Sequence, residues 1–379
     1  MGVLSIDDLV SQASPNPALE KFIKSIPLFS LVEADEMMDI LRLLRPVELE
    51  AGKVLFREGE PGKAMWVMGK GVEVTASATP PGQKQHVVVA YAREGEVLGE
   101  MALVDDGPRS GTAVVVQGGH AHEIDANEFH ALRGAFYPAA FKVLRRVCVD
   151  LCARLRATNE RIVPSSHVDV QTPQVSSMKR PTPDVMDQFP PFRALPATVK
   201  LALGQKLQVI EVSELTPLFA EGEASDGAFF LLEGEVSVGR NGKTLANLVP
   251  GTMFGLVSAI DQGTRSASCV TTGPAKLLKL GEKDFDSLFL SGHRFAYQIV
   301  DLVARQLVHH LRQANNMLAL PGRPANPAPA SVPVPSLLPV DPVTGAKKFD
   351  ALDIEMDMEF DVDMSVSAES ETDFTGILG

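Results

Sequence analysis

The sequence contains the same pattern twice, and this internal repeat constrains the fold more than any other feature. The segment "LFREGEPGKAMWVMGKGVEV" at 55–74 is matched by "LFAEGEASDGAFFLLEGEVSV" from Leu218, an offset of 163 residues. From Gly95 onward the offset is 156, so "GEVLGEMALVDDGPRSGTAVV" (95–115) is matched by "GTMFGLVSAIDQGTRSASCVT" (251–271). Seven extra residues in the first copy, in the hairpin around "SATPPGQKQH", account for the change. The repeat predicts two structural units of one fold.

Each copy alternates short β-rich runs with glycine-bearing turns and has helical patterns at both ends. This order predicts a mainly β fold with flanking α-helices: two tandem β-rolls of the jelly-roll type, each followed by a trailing helix. The predicted organisation is an N-terminal helical or flexible segment (1–25), a first domain (26–162), a linker (163–188), a second domain (189–318) and a disordered tail (319–379). The tail is proline-rich and then acidic.

The two trailing helices carry apolar residues at alternating spacings of three and four, which is the seam of a paired helix. The seam residues are Phe141, Leu144, Cys148, Leu151, Leu155, Thr158 and Ile162 in the first copy, and Tyr297, Val300, Ala304, Leu307, Leu311, Ala314 and Leu318 in the second. The helices can pair with each other, form a homodimer with another chain, or cover their own rolls. The sequence leaves these three arrangements open.

Composition and charge exclude several classes of protein. The three cysteines, Cys148, Cys152 and Cys269, are too few for a disulfide framework and lack partners at metal-site spacing, so we expect core thiols and a cytoplasmic protein without a metal. No signal peptide or membrane-spanning run is recognised. Most of the net charge of −13 lies in the tail, where eleven acids follow from Asp341 against two lysines. The mildly acidic body disfavours binding of nucleic acid.

The repeated turn combines groups that suit a phosphorylated sugar. A glycine followed by a short helical segment presents backbone N–H groups, and Arg109 adds a planar guanidinium that can meet two phosphate oxygens. A carboxylate beside such an anion is explained if Glu100 accepts hydrogen bonds from sugar hydroxyls.

Both copies resemble the cyclic nucleotide-binding domain of catabolite activator proteins, cyclic-AMP-dependent kinase regulatory subunits and cyclic-nucleotide-gated channels. In that family the cassette reads approximately Phe-Gly-Glu-x-Ala-Leu, a variable loop, then Arg-(Ser/Ala)-Ala-(Thr/Ser), and "LGEMALVDDGPRSGT" departs from it at Leu98 and Gly111. The resemblance implies that Glu100 binds the ribose 2′-hydroxyl, Arg109 and Ser110 bind the cyclic phosphate, and Thr158 and Asn159 reach the base. The implied contacts of the first domain are Gly99, Glu100, Met101, Ala102, Arg109, Ser110, Thr112, Thr158 and Asn159.

The second copy keeps the phosphate half of the pattern and loses the rest. Its implied contacts are Gly255, Arg265, Ser266, Ser268 and Asn315, but Leu256 stands at the position of Glu100 and Ala314 at that of Thr158. Loss of a charged hydrogen-bond partner costs about 1.5–3 kcal/mol. We therefore expect the second site to be weak, altered in its ligand, or purely structural.

These patterns predict a cyclic nucleotide sensor that binds cAMP, or alternatively cGMP, and signals to an unidentified protein partner. No arrangement of nucleophile, base and orienting acid indicates an enzyme, and no cofactor is implied. The alternative is a ligand-free scaffold with degenerate domains and a docking tail. A third hypothesis, a regulatory subunit of a separate kinase, is weakened because residues 1–25 lack an inhibitory Arg-Arg-x-Ser stretch.

The tail alternates apolar and acidic residues at strand period in "LDIEMDMEFDVDMSV" (352–366). A solubilising acidic tail does not require such alternation, so we interpret residues 350–367 as a strand that docks on a partner's sheet edge or basic groove.

Deletion of 341–379 is expected to abolish partner pull-down and to leave nucleotide affinity intact, because docking depends on the alternating strand. A chain with residues 350–367 scrambled at constant composition serves as the control and should also lose the partner. Unchanged pull-down by either variant would contradict docking by an alternating strand.

Overall fold

The computed structural model describes residues 17–79, 87–164, 172, 175, 177, 179–292 and 294–318. The strands of the first roll are β1 (Arg45–Leu49), β2 (Val54–Phe56), β3 (Ala64–Met68), β4 (Glu73–Ala78), β5 (Val87–Arg93), β6 (Val97–Leu98), β7 (Thr112–Gln117) and β8 (Gly119–Asp125). Those of the second are β9 (Leu207–Val212), β10 (Pro217–Phe219), β11 (Gly227–Glu233), β12 (Val236–Arg240), β13 (Lys243–Leu248), β14 (Met253–Phe254), β15 (Ser268–Thr271) and β16 (Ala275–Gly281).

The two rolls have the same topology. In the first, the sheet orders are β1-β8-β3-β6 and β2-β7-β4-β5, and in the second they are β9-β16-β11-β14 and β10-β15-β12-β13. Every paired strand is antiparallel. Each strand of the second roll therefore corresponds to the strand eight places earlier, which confirms the predicted pair of mainly β domains.

Helices flank both rolls, as the sequence predicted. They are α1 (Pro17–Lys24), α2 (Met37–Leu41), α3 (Ala126–Gly134), α4 (Pro138–Ile162), α5 (Pro183–Met186), α6 (Pro190–Arg193), α7 (Ala197–Gly204), α8 (Leu256–Asp261), α9 (Glu282–Leu290) and α10 (Arg294–Leu318). Helices α4 and α10 are the predicted trailing helices. A proline at the first position of α4 fits its start, because a helix has no use for the N–H there.

The inserted residues of the first copy lie in the hairpin between β4 and β5. In the second roll, β12 and β13 are joined by Asn241 and Gly242 alone, both with positive φ (48° and 71°), which is the signature of a type I′ hairpin. The matching connection in the first roll runs from 79 to 86. The change of offset therefore falls between β4 and β5, where a longer loop disturbs no packed element.

Strands β3 and β11 are buried on both faces, which explains their unbroken apolar runs. In β3, Trp66 and Met68 face the interior of the roll, whereas Met65 and Val67 pack into a cluster formed with the helices. The residues of β11 alternate in the same way. Each roll is therefore fixed to the helices by alternate residues of one central strand.

Helices α4 and α10 pair with each other in parallel. Near their N-termini the rings of Phe141 and Tyr297 stack, with centroids 3.9 Å apart and planes 5° apart. These residues differ by the repeat offset of 156, so the helices are related by an approximate two-fold axis. The predicted seam residues of both helices, except Leu318, are each at most 8% exposed. The seam is used within one chain, and a homodimer through this surface is not supported.

The structure adds detail to the segments outside the rolls. The predicted linker contains the short helix α5, whose N-cap Thr182 accepts a hydrogen bond from the Val185 N–H. The domain boundaries stay predictions, and the tail (319–379), with its expected disorder and docking strand, lies outside the described residues. No helix in the described part combines the length and apolar character needed to cross a bilayer.

Candidate functional site

A left-handed glycine opens each cassette. Gly99 follows β6 with φ 86° and starts the 3-10 turn Glu100–Leu103, and Gly255 precedes α8 with φ 74°. A Cβ at either position would lie 2.7 Å from a guanidinium nitrogen, of Arg109 and Arg265 respectively. Glycine is required here both by the backbone conformation and by the approach of the arginine.

Arg109 is a fixed, buried cation in the first cassette. Its Nη1 donates to the Gly99 carbonyl (3.2 Å) and its Nη2 to the Ala64 carbonyl (2.6 Å). The guanidinium carbon lies 4.2 Å from the ring centroid of Phe56 and 5.5 Å from that of Trp66. The buried Nε has no hydrogen-bond partner among the described residues. The Nε–H donor therefore remains unused.

Burial lowers the pKa of Arg109, and the negative charges of Glu100 and Glu60 oppose this change. The side chain remains protonated at neutral pH because arginine side chains do not lose their proton in proteins. Its hydrogen bonds within the protein go to uncharged carbonyls, so its charge is available to an anion.

Glu100 is also buried, at 3% exposed, and accepts a hydrogen bond from Arg154 Nη1 at 2.6 Å. Arg154 comes from α4, and the charge of Glu100 raises its pKa. Sequence reasoning missed Arg154. The signal was present, because Arg154 lies one helical turn before Thr158 and thus on the same face of α4.

The structure brings together Gly99, Glu100, Met101, Ala102 and Arg109 around the 3-10 turn. Other predicted residues take varied positions. Ser110 is exposed beside Arg109, and Thr158 is buried on α4. The Thr112 hydroxyl accepts the Glu58 N–H (3.0 Å), and in the second roll the Ser268 hydroxyl accepts the Glu221 N–H (2.9 Å). Each hydroxyl therefore holds a turn of its own roll, at Glu58 in the first and at Glu221 in the second.

Arg265 in the second cassette has more protein partners than Arg109. It donates to the carbonyls of Gly255 (2.9 Å) and Gly227 (2.8 Å) and to the Ser258 hydroxyl (2.9 Å). It also forms an ion pair with Asp226, which pairs in turn with Lys279. Its guanidinium lies 4.1 Å from the centroid of Phe219. The first repeat has Lys63 at the position of Asp226, so the two arginines differ in their surroundings.

A cavity of about 120 Å³ lies between the second cassette and both trailing helices. Gly255, Arg265 and Ser266 line one side, but Asn315 is not among the described residues that line it. Asn159, predicted for the first site, lines this second cavity instead. Asn159 therefore faces the second repeat in this structure, and its contact with a base in the first site stays a prediction.

An arginine of α10 holds the cassette loop of the first repeat. Arg312 donates Nη1 and Nη2 to the carboxylate of Asp105 at 2.6 and 2.8 Å. Asp105 also accepts the N–H of Gly107 (3.1 Å), where a Cβ would lie 2.4 Å from an Arg312 nitrogen. Burial alone would raise the pKa of Asp105, but hydrogen bonding and charge from Arg312 outweigh it and hold this pKa below its ordinary value.

The contact of an arginine of one trailing helix with the cassette loop of the other repeat, here called a clamp, also occurs from α4 to the second repeat. Arg156 of α4 donates to Asp261 at 2.5 and 2.8 Å and to the Thr264 carbonyl at 2.7 Å. Asp261 accepts the N–H of Gly263 at 3.0 Å. All members of the two clamps are separated by the offset of 156. The repeated residues are present in the sequence, but the contacts between them can be seen only once the pairing of the helices is known.

Two β-rolls with arginine-centred cassettes and paired trailing helices define the class of protein. The family model for the cyclic nucleotide-binding domain matches residues 46–135 and 209–291, one region in each roll. The chain therefore contains two regions that match the cyclic nucleotide-binding domain, one in each repeat. Among the described residues no cluster of three or more His, Cys, Asp or Glu side chains could hold a metal ion.

Several proteins are similar to parts of this chain. The chain is 28% identical over 116 residues to a cAMP-dependent protein kinase regulatory subunit of Dictyostelium discoideum, covering 30% of this chain and 36% of the relative. It is 27% identical over 154 residues to a CRP-like cAMP-activated global transcriptional regulator of Mycobacterium tuberculosis, covering 40% and 65%. These matches span less than two thirds of the relatives' own lengths. The cAMP-bound regulatory domain of Toxoplasma gondii PKA is 18% identical, with a TM-score of 0.30, over 74% of this chain and 95% of that one.

The clamps generate a stability prediction. Arg312→Gln is expected to reduce the free energy of unfolding by about 1–3 kcal/mol, because two charge-assisted hydrogen bonds are lost at a partly buried site. Because the pKa of Asp105 is lowered by folding, this contribution is present across neutral pH and is lost only as the pH falls through that lowered value. Urea unfolding at pH 7 measures it.

A double-mutant cycle with Asp105→Asn isolates the pair from other effects of each substitution. Lys24→Gln, which removes an exposed pair with Glu20, is the matched control and should change stability by less than about 0.5 kcal/mol. Equal losses in Arg312→Gln and Lys24→Gln would show that the clamp contributes no more than a surface pair.

Proposed function

We propose that the first repeat binds cAMP and that the chain is a cytoplasmic regulatory protein that passes occupancy of this site to a partner protein. The observation that carries the proposal is Arg109, a buried cation whose protein partners are neutral carbonyls and whose Nε is unpaired. A buried charge of this kind is stabilised by an anion that enters the site. The second supporting feature is Glu100, a buried acid held beside it.

The site suits each part of a cyclic nucleotide. The cyclic phosphate would take the unused donor of Arg109, with the exposed hydroxyl of Ser110 and the N–H groups of the turn from Gly99 to Ala102 nearby. Glu100 would accept a hydrogen bond from the ribose 2′-hydroxyl with its remaining lone pairs, while Arg154 holds the carboxylate in place. Thr158 would face the base from α4.

The trailing helices provide the route from ligand to partner. Arg154 joins α4 to the turn that carries Glu100, and Arg312 joins α10 to the loop that ends at Arg109. A ligand that moves this turn or loop therefore biases the position of both helices. The names of the relatives, kinase regulatory subunits and a transcriptional regulator, support a role in regulation and a protein partner, without catalysis by this chain.

One observation favours the alternative of a ligand-free scaffold. Both charged groups of the first cassette already have protein partners: Glu100 pairs with Arg154, and Arg109 bonds to two carbonyls. A scaffold would need no more than this. The two functions differ in a single measurable property, which is whether a cyclic nucleotide binds at the first cassette.

Arg109→Ala is expected to weaken binding of cAMP about tenfold to a hundredfold, because a charged hydrogen-bond donor to the phosphate is lost. Isothermal titration of the intact chain with cAMP and with cGMP measures the effect, and circular dichroism checks that the variant folds. The matched control is Arg265→Ala in the second cassette, which should leave the high-affinity event in place.

An affinity that is the same in Arg109→Ala as in the unaltered chain would refute the assignment of the first cassette. Absence of heat with both nucleotides would support the scaffold.

A further inference from the structure

The second cavity has lost both members of the ion pair that the first cassette contains. Glu100 and Arg154 lie 2.6 Å apart in the first repeat, and the residues 156 positions later are Leu256 and His310. Both replacements line the cavity. Losing Arg154 alone would leave the buried carboxylate of Glu100 unpaired, at a high cost in stability. Loss of both removes that charge pair from the cavity wall without this cost.

His310 does not restore the charge of Arg154. Its Nε2 lies 3.0 Å from the amide nitrogen of Gln306, which donates to it, so this ring nitrogen acts as an acceptor. Burial, with a smaller effect from His309, lowers the pKa of His310 to about 4. The imidazole is therefore neutral at physiological pH.

Arg265 is the remaining charged residue among those that line the cavity, and its guanidinium is engaged by protein groups behind the wall. Asp226 pairs with it, and three further hydrogen bonds engage its Nη atoms. The side chain is 2% exposed. A phosphate would have to compete with Asp226 for this guanidinium, and a ribose hydroxyl would face the apolar side chain of Leu256 without an acceptor.

The rest of the lining is predominantly apolar and comes from both repeats. Leu155 and Ile162 of α4 face Phe219, Phe254, Leu256 and Met317 of the second repeat across the cavity. The amides of Asn159 and Gln313 add a few polar groups. Apolar walls with a small number of polar groups are typical of sites for small organic ligands. The volume of about 120 Å³ approaches that of an engineered cavity, about 150 Å³, that holds benzene.

We propose that the second repeat binds an uncharged, mainly apolar small molecule in this cavity, rather than a cyclic nucleotide. This assignment gives the second domain its own class of ligand. Its contrast with the first repeat rests on the proposed function, in which the first repeat binds cAMP. An uncharged ring fills the space between Leu256 and the two trailing helices, and the amides of Asn159 and Gln313 select ligands with one or two hydrogen-bonding groups. Because α4 and α10 both contribute walls, this ligand stabilises their pairing.

The test compares two probes that share a ring system and differ in charge: indole, which is neutral, and indole-3-carboxylate, which is an anion. Isothermal titration and thermal unfolding of the full chain are the measurements. Indole is expected to bind and to raise the melting temperature, with indole-3-carboxylate at least tenfold weaker. Absence of indole binding, or equal binding of the two probes, would overturn the proposal.

Substitution locates the bound probe. Ala314→Phe fills the cavity from α10 and is expected to abolish indole binding, whereas Ala51→Phe, at an exposed turn of the first roll, leaves it unchanged. If Ala314→Phe does not fold, Ala246→Leu fills the cavity from β13 instead. Indole binding that survives a folded cavity-filling variant would place the ligand elsewhere and overturn the assignment.

Restoring the lost charges separates this proposal from the proposed function. The double variant Leu256→Glu/His310→Arg rebuilds the ion pair and is expected to lose indole binding. With Asp226→Asn added to release Arg265, it is expected to bind one more cAMP per chain than the unaltered protein. If the number of cAMP molecules bound per chain rises from one to two, both proposals are supported. If it rises from zero to one, this inference is supported and binding of cAMP by the first cassette is refuted. Retention of indole binding by the double variant would refute the role of the lost charge pair.

Discussion

The parallel pairing of α4 with α10 is the interaction on which the other features of this chain depend. It buries the seam from Phe141 to Ala314, and each large apolar side chain that becomes fully buried contributes about 1.5–3 kcal/mol. The pairing also brings Arg156 and Arg312 to the cassette loops of the opposite repeats. Without it both clamps would open and the second cavity would lose the wall that α4 provides.

The backbone of the chain is nearly symmetric, but its chemistry is not. Strand order is repeated, and the cassette glycines and clamps repeat at the offset of 156, whereas the groups that face the two ligand positions differ. Glu100 and Arg154 correspond to Leu256 and His310, and Thr158 corresponds to Ala314. A duplicated scaffold that keeps its packing can change the ligand of one copy, because cassette side chains diverge without disturbing the helix pair.

The two-fold repeat, the β-rolls and the trailing helices were predictable, because strand and helix periodicities and left-handed glycines are local properties of a sequence. The cassette group around Glu100 and Arg109 followed from residue types at a fixed spacing. The partner of each helical seam was not predictable, since a period of 3.6 residues shows which face is buried but not what covers it. The position of Asn159 in the wall of the second cavity could not be predicted for this reason. Neighbouring residues on a helix point about 100° apart, so Thr158 and Asn159 face different surroundings.

A ligand in the first cassette is expected to act on both trailing helices, because Arg154 and Arg312 join them to that cassette. Hydrogen–deuterium exchange of the full chain with and without cAMP tests this directly, peptide by peptide. Slower exchange is expected in residues 99–112 and, in addition, in the part of α10 around Arg312. Protection confined to the first roll and α4, with α10 unchanged, would contradict it.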